Sequence, residues 1–246
     1  MKIVGVIPAR YKSTRFEGKP LADILGRPMI WWVYNQVIQV KELQEVYVAT
    51  DDERISKICE EFNIKYIMTA DNHPNHIHRI QEVSTKIKAD YFVCINGDEP
   101  LIEPKTIRTI LNNNMEINDK PVVYGLVRNF TDPVETIDSA NIKIVTNKEG
   151  NALYMSRSVI PYPKGSLLYK FKKYVGVECF NKMALDFFVN SEQGELEKIE
   201  DIDHLRFLEN NIVINFKLVD SKSLSVDTKN DLEKVKIIMQ KRKGEE

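Results

Sequence analysis

Residues 4–20, Val-Gly-Val-Ile-Pro-Ala-Arg-Tyr-Lys-Ser-Thr-Arg-Phe-Glu-Gly-Lys-Pro, hold the densest group of side chains able to do chemistry. An apolar run, Ile3 to Ile7, stops at Pro8, and Arg10, Lys12, Ser13, Thr14, Arg15, Gly18 and Lys19 follow. Cations hold phosphate through charge-assisted hydrogen bonds, and interleaved hydroxyls and glycine let a backbone come close to phosphate oxygens. In open α/β sheets the ligand crevice lies beyond the carboxyl ends of the strands, where this loop would fall. A solvated basic surface is the plain alternative; the position directly behind a strand favours a grip on a triphosphate. Neither Gly-x-x-x-x-Gly-Lys-[Ser/Thr] nor Gly-x-Gly-x-x-Gly occurs in this stretch, so it is not a P-loop or a dinucleotide fingerprint.

Carboxylates supply the complementary half. The strand-like Tyr91-Ile95 runs into Asn96-Gly97-Asp98-Glu99-Pro100, a tight turn where Mg²⁺ held by one or two carboxylates plus substrate phosphates would belong. Asp227, in Leu224-Ser-Val-Asp-Thr228, is a second candidate, although Asp227 or Thr228 also suits a helix cap. Two separated acids converging on one Mg²⁺ make more chemical sense than either alone. His73, His76 and His78 form no convincing zinc set, since Pro74 interrupts them and no Cys or paired acid completes it; a polar loop before a helix is the simpler reading.

Stepping from these side chains to the elements that carry them, strand-like and helical runs alternate. Ile3-Ile7 precedes a helix from Pro28 to about Val40; Val46-Thr50 precedes a helix from Glu53 to Phe62. Lys65-Met68, a helix Ile77-Lys88 and the strand Tyr91-Ile95 follow. Such alternation predicts βαβ units and right-handed parallel crossovers. Beyond residue 120, strands are expected at Val122-Val127, Ile142-Val145, Ala152-Tyr154, Tyr174-Phe180 and Val213-Leu218, with a turn at Asn147-Gly150. Helices are expected at Lys182-Val189, Asp201-Leu208 and Lys229-Arg242. The expected architecture is α/β: a Rossmann-like sandwich on a mixed, mainly parallel sheet, with an inserted β-rich subdomain. The paired Trp31-Trp32 reads as core.

Composition narrows the class. In 246 residues, 43% are apolar and 29% charged, as in ordinary globular chains, and the net charge of −1 gives no global field for nucleic acid or an anionic membrane. Cys59, Cys94 and Cys179 are far apart and odd in number, which suggests free thiols in a reducing compartment. No signal peptide or membrane-length apolar run is read, so a cytoplasmic location is expected.

The segments Val-Ile-Pro-Ala-Arg-Tyr-Lys-Ser-Thr-Arg-Phe-Glu-Gly-Lys-Pro, Val-Ala-Thr-Asp-Asp, Asn-Gly-Asp-Glu-Pro, Ala-Leu-Tyr-Met-Ser-Arg-Ser-Val-Ile-Pro and Val-Asp-Thr-Lys-Asn-Asp-Leu-Glu occur in order over nearly the whole chain. In this it resembles the 3-deoxy-manno-octulosonate cytidylyltransferases, or CMP-Kdo synthetases. The resemblance implies a single nucleotidyltransferase domain over residues 1–246. Its nucleotide-binding half would span about 1–120, an acceptor and homodimerisation part about 121–220, and a closing helix 221–246. It further implies Mg²⁺-dependent transfer of CMP from CTP to a sugar acid, with pyrophosphate released, in polysaccharide and lipopolysaccharide assembly.

Carried over by position, Arg10, Lys19 and Asp98 would be catalytic. Arg10, Ser13, Thr14, Arg15, Lys19, His78, Arg79 and Asp98 would meet the nucleotide, and Asp98 and Asp227 would hold the metal. Asn96, Arg157, Tyr174, Glu178, Asp203 and His204 would face the acceptor, with Arg157 near its anionic group. The chain departs from the family at definite places. Asn75-His76-Ile77-His78-Arg79 stands where Ser-Gly-Thr-Asp/Glu-Arg is usual, and Asn96 where Gln is typical. Tyr174-Val-Gly-Val-Glu-Cys-Phe180 replaces a His-Leu-Gly-Ile-Tyr-Gly-Tyr-like strand, and Asp203-His204 a Glu-Gln pair. Three readings stay open: CTP with Kdo or a Kdo-like acid; the same reaction type with another acid or nucleotide; and a silent nucleotide-binding protein.

Overall fold

The computed structural model describes residues 1–13, 15–111, 115–166 and 168–244. The chain runs β1 (Ile3–Ala9), a short hairpin β2 (Asp23–Ile24) and β3 (Arg27–Pro28), α1 (Met29–Val37), β4 (Glu45–Thr50), α2 (Glu53–Glu61), β5 (Tyr66–Met68), α3 (His76–Lys86), β6 (Tyr91–Ile95) and α4 (Pro104–Leu111). Then follow β7 (Val123–Asn129), α5 (Pro133–Ile137), β8 (Lys143–Thr146), β9 (Ala152–Ser156), β10 (Lys172–Asn181), α6 (Lys182–Asn190), α7 (Glu195–Glu200), α8 (Leu205–Glu209), β11 (Ile214–Leu218) and α9 (Lys229–Gly244).

One mixed sheet of nine strands carries both halves, in the order β11-β7-β10-β6-β1-β4-β5, with β8 and β9 joined at its side through β10. Strands β6, β1, β4 and β5 are mutually parallel, as the alternation of elements predicts. The β-rich second half continues this sheet: β10 runs antiparallel to both β6 and β7, and β11 parallel to β7. Successive side chains of a strand face opposite sides, and both sides are covered here. Ile3, Ile7, Val93 and Ile95 pack under α1, α2 and α4; Val4, Val6, Phe92 and Cys94 pack under α3 and α6. A third apolar cluster joins α9, through Leu232, Val235 and Met239, to Ile24, Met29 and Leu101.

This topology fixes where a ligand goes. From β1 the chain winds outward through β4 and β5, then α3 carries it back to β6 on the other side of β1. Strand order therefore reverses at β1, and the loops leaving β1 and β6 splay apart to leave a crevice. Gly97 lets those loops approach closely, because a Cβ there would lie 2.8 Å from the carbonyl oxygen of Pro8.

Helix ends match local chemistry. Asp52, Asn75 and Asn181 accept hydrogen bonds from the first-turn N–H groups of α2, α3 and α6. Asn147 accepts from the amides of Glu149 and Asn151 at the β8–β9 turn, where Gly150 takes φ 87°. Two expectations needed adjusting. The helix placed at Asp201-Leu208 begins only at Leu205 and is preceded by α7, with Asp201 in a left-handed conformation that ends α7. Trp31 and Trp32 are partly buried, meet edge to face with centroids 5.0 Å apart, and Trp32 Nε1 donates to the carbonyl of Ile24. All three cysteines are buried and free.

Candidate active site

A cleft of about 420 Å³ opens at the switch point, lined by Arg10, Ser13, Arg15 and Lys19 after β1 and by Asn96, Gly97 and Asp98 after β6. Asp227 closes one side; His73, Asn75, His76 and Arg79, around the start of α3, close the other. Arg10 is exposed, and neither it nor Ser13 makes a side-chain bond to another described residue, so both remain available to a ligand. Thr14 lies outside the described residues.

Lys19 sits among the acids. Its Nζ lies 2.6 Å from Asp98 Oδ2 and 3.5 Å from Asp227 Oδ1, and Arg15 lies 3.0 Å from the same Asp227 oxygen. Two carboxylates 129 positions apart in the chain thus reach one ammonium, and the backbone explains how. The amide of Val226 donates to the carbonyl of Asp98 at 2.8 Å, which pins the strand ahead of α9 to the β6 turn. Thr228, not Asp227, caps α9: its hydroxyl accepts from the amide of Asp231, while Asp231 accepts from that of Thr228. Asp227 is left free to face the cleft. Asp98 Oδ1 is buried with no hydrogen-bond partner among the described residues, and a buried anionic oxygen without a partner is costly. Hard oxygen donors arranged in this way fit Mg²⁺.

Of the two α3 residues expected to meet the nucleotide, one lines the cleft and one is turned away. Arg79 lines the cleft, buried, with its guanidinium held by Thr69 Oγ1 and by Asp51 at 3.1 Å. His78 does not line it. Its Nδ1 contacts the Asn75 side chain at 2.8 Å and its ring meets Phe188 edge to face at 5.2 Å. The cause is helical geometry: His78 is two positions on from His76, about 200° around the axis, so only one of them can face the cleft. His73 is held by Glu82 at 2.5 Å.

On the acceptor side a smaller cavity of about 130 Å³ adjoins the cleft through Asn96 and Asp227 and contains Tyr174, Arg128 and Lys173. Arg128 and Lys173 face each other across β7 and β10, both held by Glu135. Neither was among the expected residues, because only the strand register brings them together. Glu178 lies behind the cleft, 1% exposed, with His76 Nε2 3.2 Å from Oε2 and His204 Nε2 3.2 Å from Oε1. Regular antiparallel pairing of β10 with β6 sets this residue opposite Cys94, while the β10–β7 pairing shifts register between Val175 and Glu178, around Gly176. Burial opposes charge on the Glu178 carboxyl, but the two imidazoles outweigh it and hold its pKa far below the usual range. Burial likewise works against a charged His76, yet Glu178, Asp203 and Asp98 raise it to about 9. Asp203 lines the cleft and accepts from Asn75 at 2.9 Å; His204 is buried against the Tyr174 ring at 5.4 Å.

Arg157 is placed otherwise than expected. Its guanidinium donates to the carbonyls of Glu200, Asp201 and Ser139, its amide donates to the Glu200 carboxylate, and it lines neither cavity. The end of β9 docks onto the turn after α7, and Arg157 is the clamp.

Against known proteins, a family model described as cytidylyltransferase matches residues 4–235. The 3-deoxy-manno-octulosonate cytidylyltransferase of Escherichia coli is 36% identical over 97% of this chain and 96% of its own length. The chain belongs to the 3-deoxy-manno-octulosonate cytidylyltransferase family. The enzyme of that name from Parabacteroides distasonis is 39% identical over 95% of this chain and 96% of its own. A solved CMP:2-keto-3-deoxy-manno-octonic acid synthetase, complexed with CTP, superposes with TM-score 0.93 at 36% identity over 98% of this chain and all of its own. The cytidylyltransferase is thus an α/β nucleotidyltransferase on a mainly parallel mixed sheet. No helix among its described residues is long and apolar enough to cross a membrane.

Proposed function

We propose that this cytidylyltransferase transfers CMP from CTP to the sugar acid Kdo, releasing pyrophosphate, with the whole chain acting as one catalytic unit. The observation that carries the reading is the facing of Arg10, Ser13, Arg15 and Lys19 by Asp98 and Asp227 across one crevice at the switch point. A hydroxyl oxygen of the acid bonds to the α-phosphorus, the bond from that phosphorus to the bridging oxygen breaks, pyrophosphate leaves, and the hydroxyl proton ends in solution.

Such a reaction needs charge neutralisation and alignment more than a covalent protein nucleophile. Arg10, Arg15 and Lys19 offer cations to the triphosphate, and Ser13 a hydroxyl. Asp98 and Asp227 would hold Mg²⁺, which when bound offsets phosphate charge and makes the α-phosphorus more electrophilic. Lys19, now tied to both acids, is positioned to exchange carboxylate for phosphate when nucleotide enters. Arg79 would border the nucleoside, while Asn96, Tyr174 and Asp203 line the acceptor side, with Arg128 and Lys173 supplying cations for an acidic acceptor. Exposed Leu153, Tyr162 and Leu168 on the β-rich half support a homodimer formed there. A product of this kind would feed cell-surface polysaccharide assembly in the cytoplasm.

The test is pyrophosphate release with Mg²⁺ and each of the four nucleoside triphosphates, with and without Kdo. Release only with CTP and Kdo is expected. Release with CTP and a different acid but not Kdo would replace the acceptor, and nucleotide binding without any release would overturn catalysis.

A further inference from the structure

The buried group behind the acceptor side has the composition of a metal centre of a different kind from the Asp98–Asp227 pair. A ring nitrogen of His76, Cys94 Sγ and a Glu178 carboxylate oxygen lie within 4.8 Å of one another. His76 comes from the first turn of α3, and Cys94 and Glu178 are opposed residues of β6 and β10. We infer that His76, Cys94 and Glu178 form a site for one divalent transition metal of the zinc class, separate from the catalytic Mg²⁺ pair.

Three observations support it. The first is spacing. Ligand atoms about 2.0–2.1 Å from a tetrahedral ion sit roughly 3.3 Å apart, and a sulfur slightly further; His76 Nε2 and Glu178 Oε2 are 3.2 Å apart. The second is the surrounding shell. A metal-bound imidazole usually gives its other ring N–H to a carboxylate, which fixes tautomer and orientation. His76 Nδ1 lies 3.6 Å from Asp203 Oδ2, and Asn75 Nδ2 donates to the other oxygen of Asp203 at 2.9 Å. His204 stands 3.2 Å from the second oxygen of Glu178.

The third is polar satisfaction. Glu178 Oε1 and His204 Nε2 are buried, and neither makes an aligned hydrogen bond within the described residues, although they are neighbours. Taking the Glu178 carboxylate out of water is expensive even beside His204, and an ion on its other oxygen, Oε2, would offset part of that cost. Donor type selects the metal. Thiolate and imidazole favour zinc-class ions over Mg²⁺, which prefers oxygen. Of the three ligands only His76 lines the cleft, so the remaining coordination position opens on that side.

The test needs no turnover, so its failure is distinct from failure of the proposed reaction. The full-length protein is purified without chelator, its metal content is measured, and the metal-free protein is titrated with Co²⁺. Expected are close to one zinc per chain and, with Co²⁺, the visible absorption of a four-coordinate ion plus a thiolate charge-transfer band. Cys94→Ser should abolish the charge-transfer band, and His76→Ala should weaken Co²⁺ binding by at least tenfold. Asp203→Asn should weaken it about 10–100-fold, the range for loss of an outer partner. Asp98→Asn should leave the thiolate charge-transfer band in place, since that band reports Cys94 alone. His76 and Asp203 are partly exposed, so their variants are expected to keep the fold, which circular dichroism checks. The proposal is overturned by Co²⁺ binding no tighter than Mg²⁺, or by a Co²⁺ spectrum that survives both Cys94→Ser and His76→Ala.

Discussion

The two ends of the cleft are built on opposite principles. On the phosphate side the functional groups are clustered in the sequence: four cations lie within ten residues after β1, and Asp98 sits in a five-residue turn after β6. Arg10 and Arg15 reach into solvent, while Lys19 and Asp98, 16% and 22% exposed at the side chain, are held to each other at 2.6 Å deeper in the crevice. At the other end, single residues from α3, β6, β10 and the turn before α8 converge into an ionic knot whose centre, Glu178 and His204, is buried and whose rim, His76 and Asp203, is partly exposed. Charge at a wet surface is cheap and mobile. Charge taken out of water must be matched residue for residue. Groups matched in this way constrain one another, so a change in one member leaves another uncompensated.

The largest effect expected from this contrast is on catalysis at the wet end. Asp98→Asn should lower pyrophosphate release by about 10³-fold, through loss of charge at the proposed metal, with little change in melting temperature. Arg10→Ala should lower kcat/KM about 10²-fold and, since the Arg10 side chain makes no bond to another described residue, leave stability unaltered. If either variant unfolded the protein, the wet end would be structural and the contrast would fail.

Two changes probe the dry regions. Arg206 and Glu197, 3% and 2% exposed, form a buried pair at 2.6 Å away from the cleft. Arg206→Ala should cost about 3–5 kcal/mol by leaving Glu197 buried and alone, with unchanged kcat in molecules that remain folded. Glu178→Gln should lower stability by about 2–3 kcal/mol and raise the KM for the acceptor more than that for CTP, as steady-state kinetics would show. Equal shifts in the two KM values would dissolve the division into two ends.

The smallest effect is a pH dependence at the margin. Burial pushes the Glu82 carboxyl up, but Lys86, the Ala70 amide and His73 outweigh it and bring its pKa to about 2, below the ordinary 4.5. A depressed carboxyl contributes stability in full above pH 4.5, and that contribution is lost as pH falls from 4.5 towards 2. Glu82→Gln should therefore remove on the order of 2 kcal/mol at pH 6 and almost nothing near pH 2, read by urea unfolding across that range.

Much of this was legible in advance, for reasons visible in particular residues. Tyr91–Ile95 is a strand within the stretch the apolar run predicts, because a five-residue β-branched and aromatic run ended by Gly and Pro has little else to become. The phosphate loop and the Asp98 turn were legible for the same reason. Helix α4 (Pro104–Leu111) and helix α7 were not anticipated, being short and mixed in pattern. His78 and Arg157 were carried over by position alone, and position does not say which way a side chain points. One helical step turns His78 into the Phe188 contact, and the docking of β9 spends Arg157 on carbonyls.

By itself the sequence determined the family, the alternation that makes a parallel sheet, and the cationic loop and acidic turn that a nucleotide reaction needs. These are local patterns, and local chemistry dictates them. Only the tertiary structure decided that Asp227 stands beside Asp98, that Arg128 meets Lys173, and that Glu178 is held between two imidazoles opposite Cys94. The first meeting rests on the backbone hydrogen bond from Val226 to Asp98, and the other two on strand register, where a shift of one residue would send the side chain to the other face of the sheet.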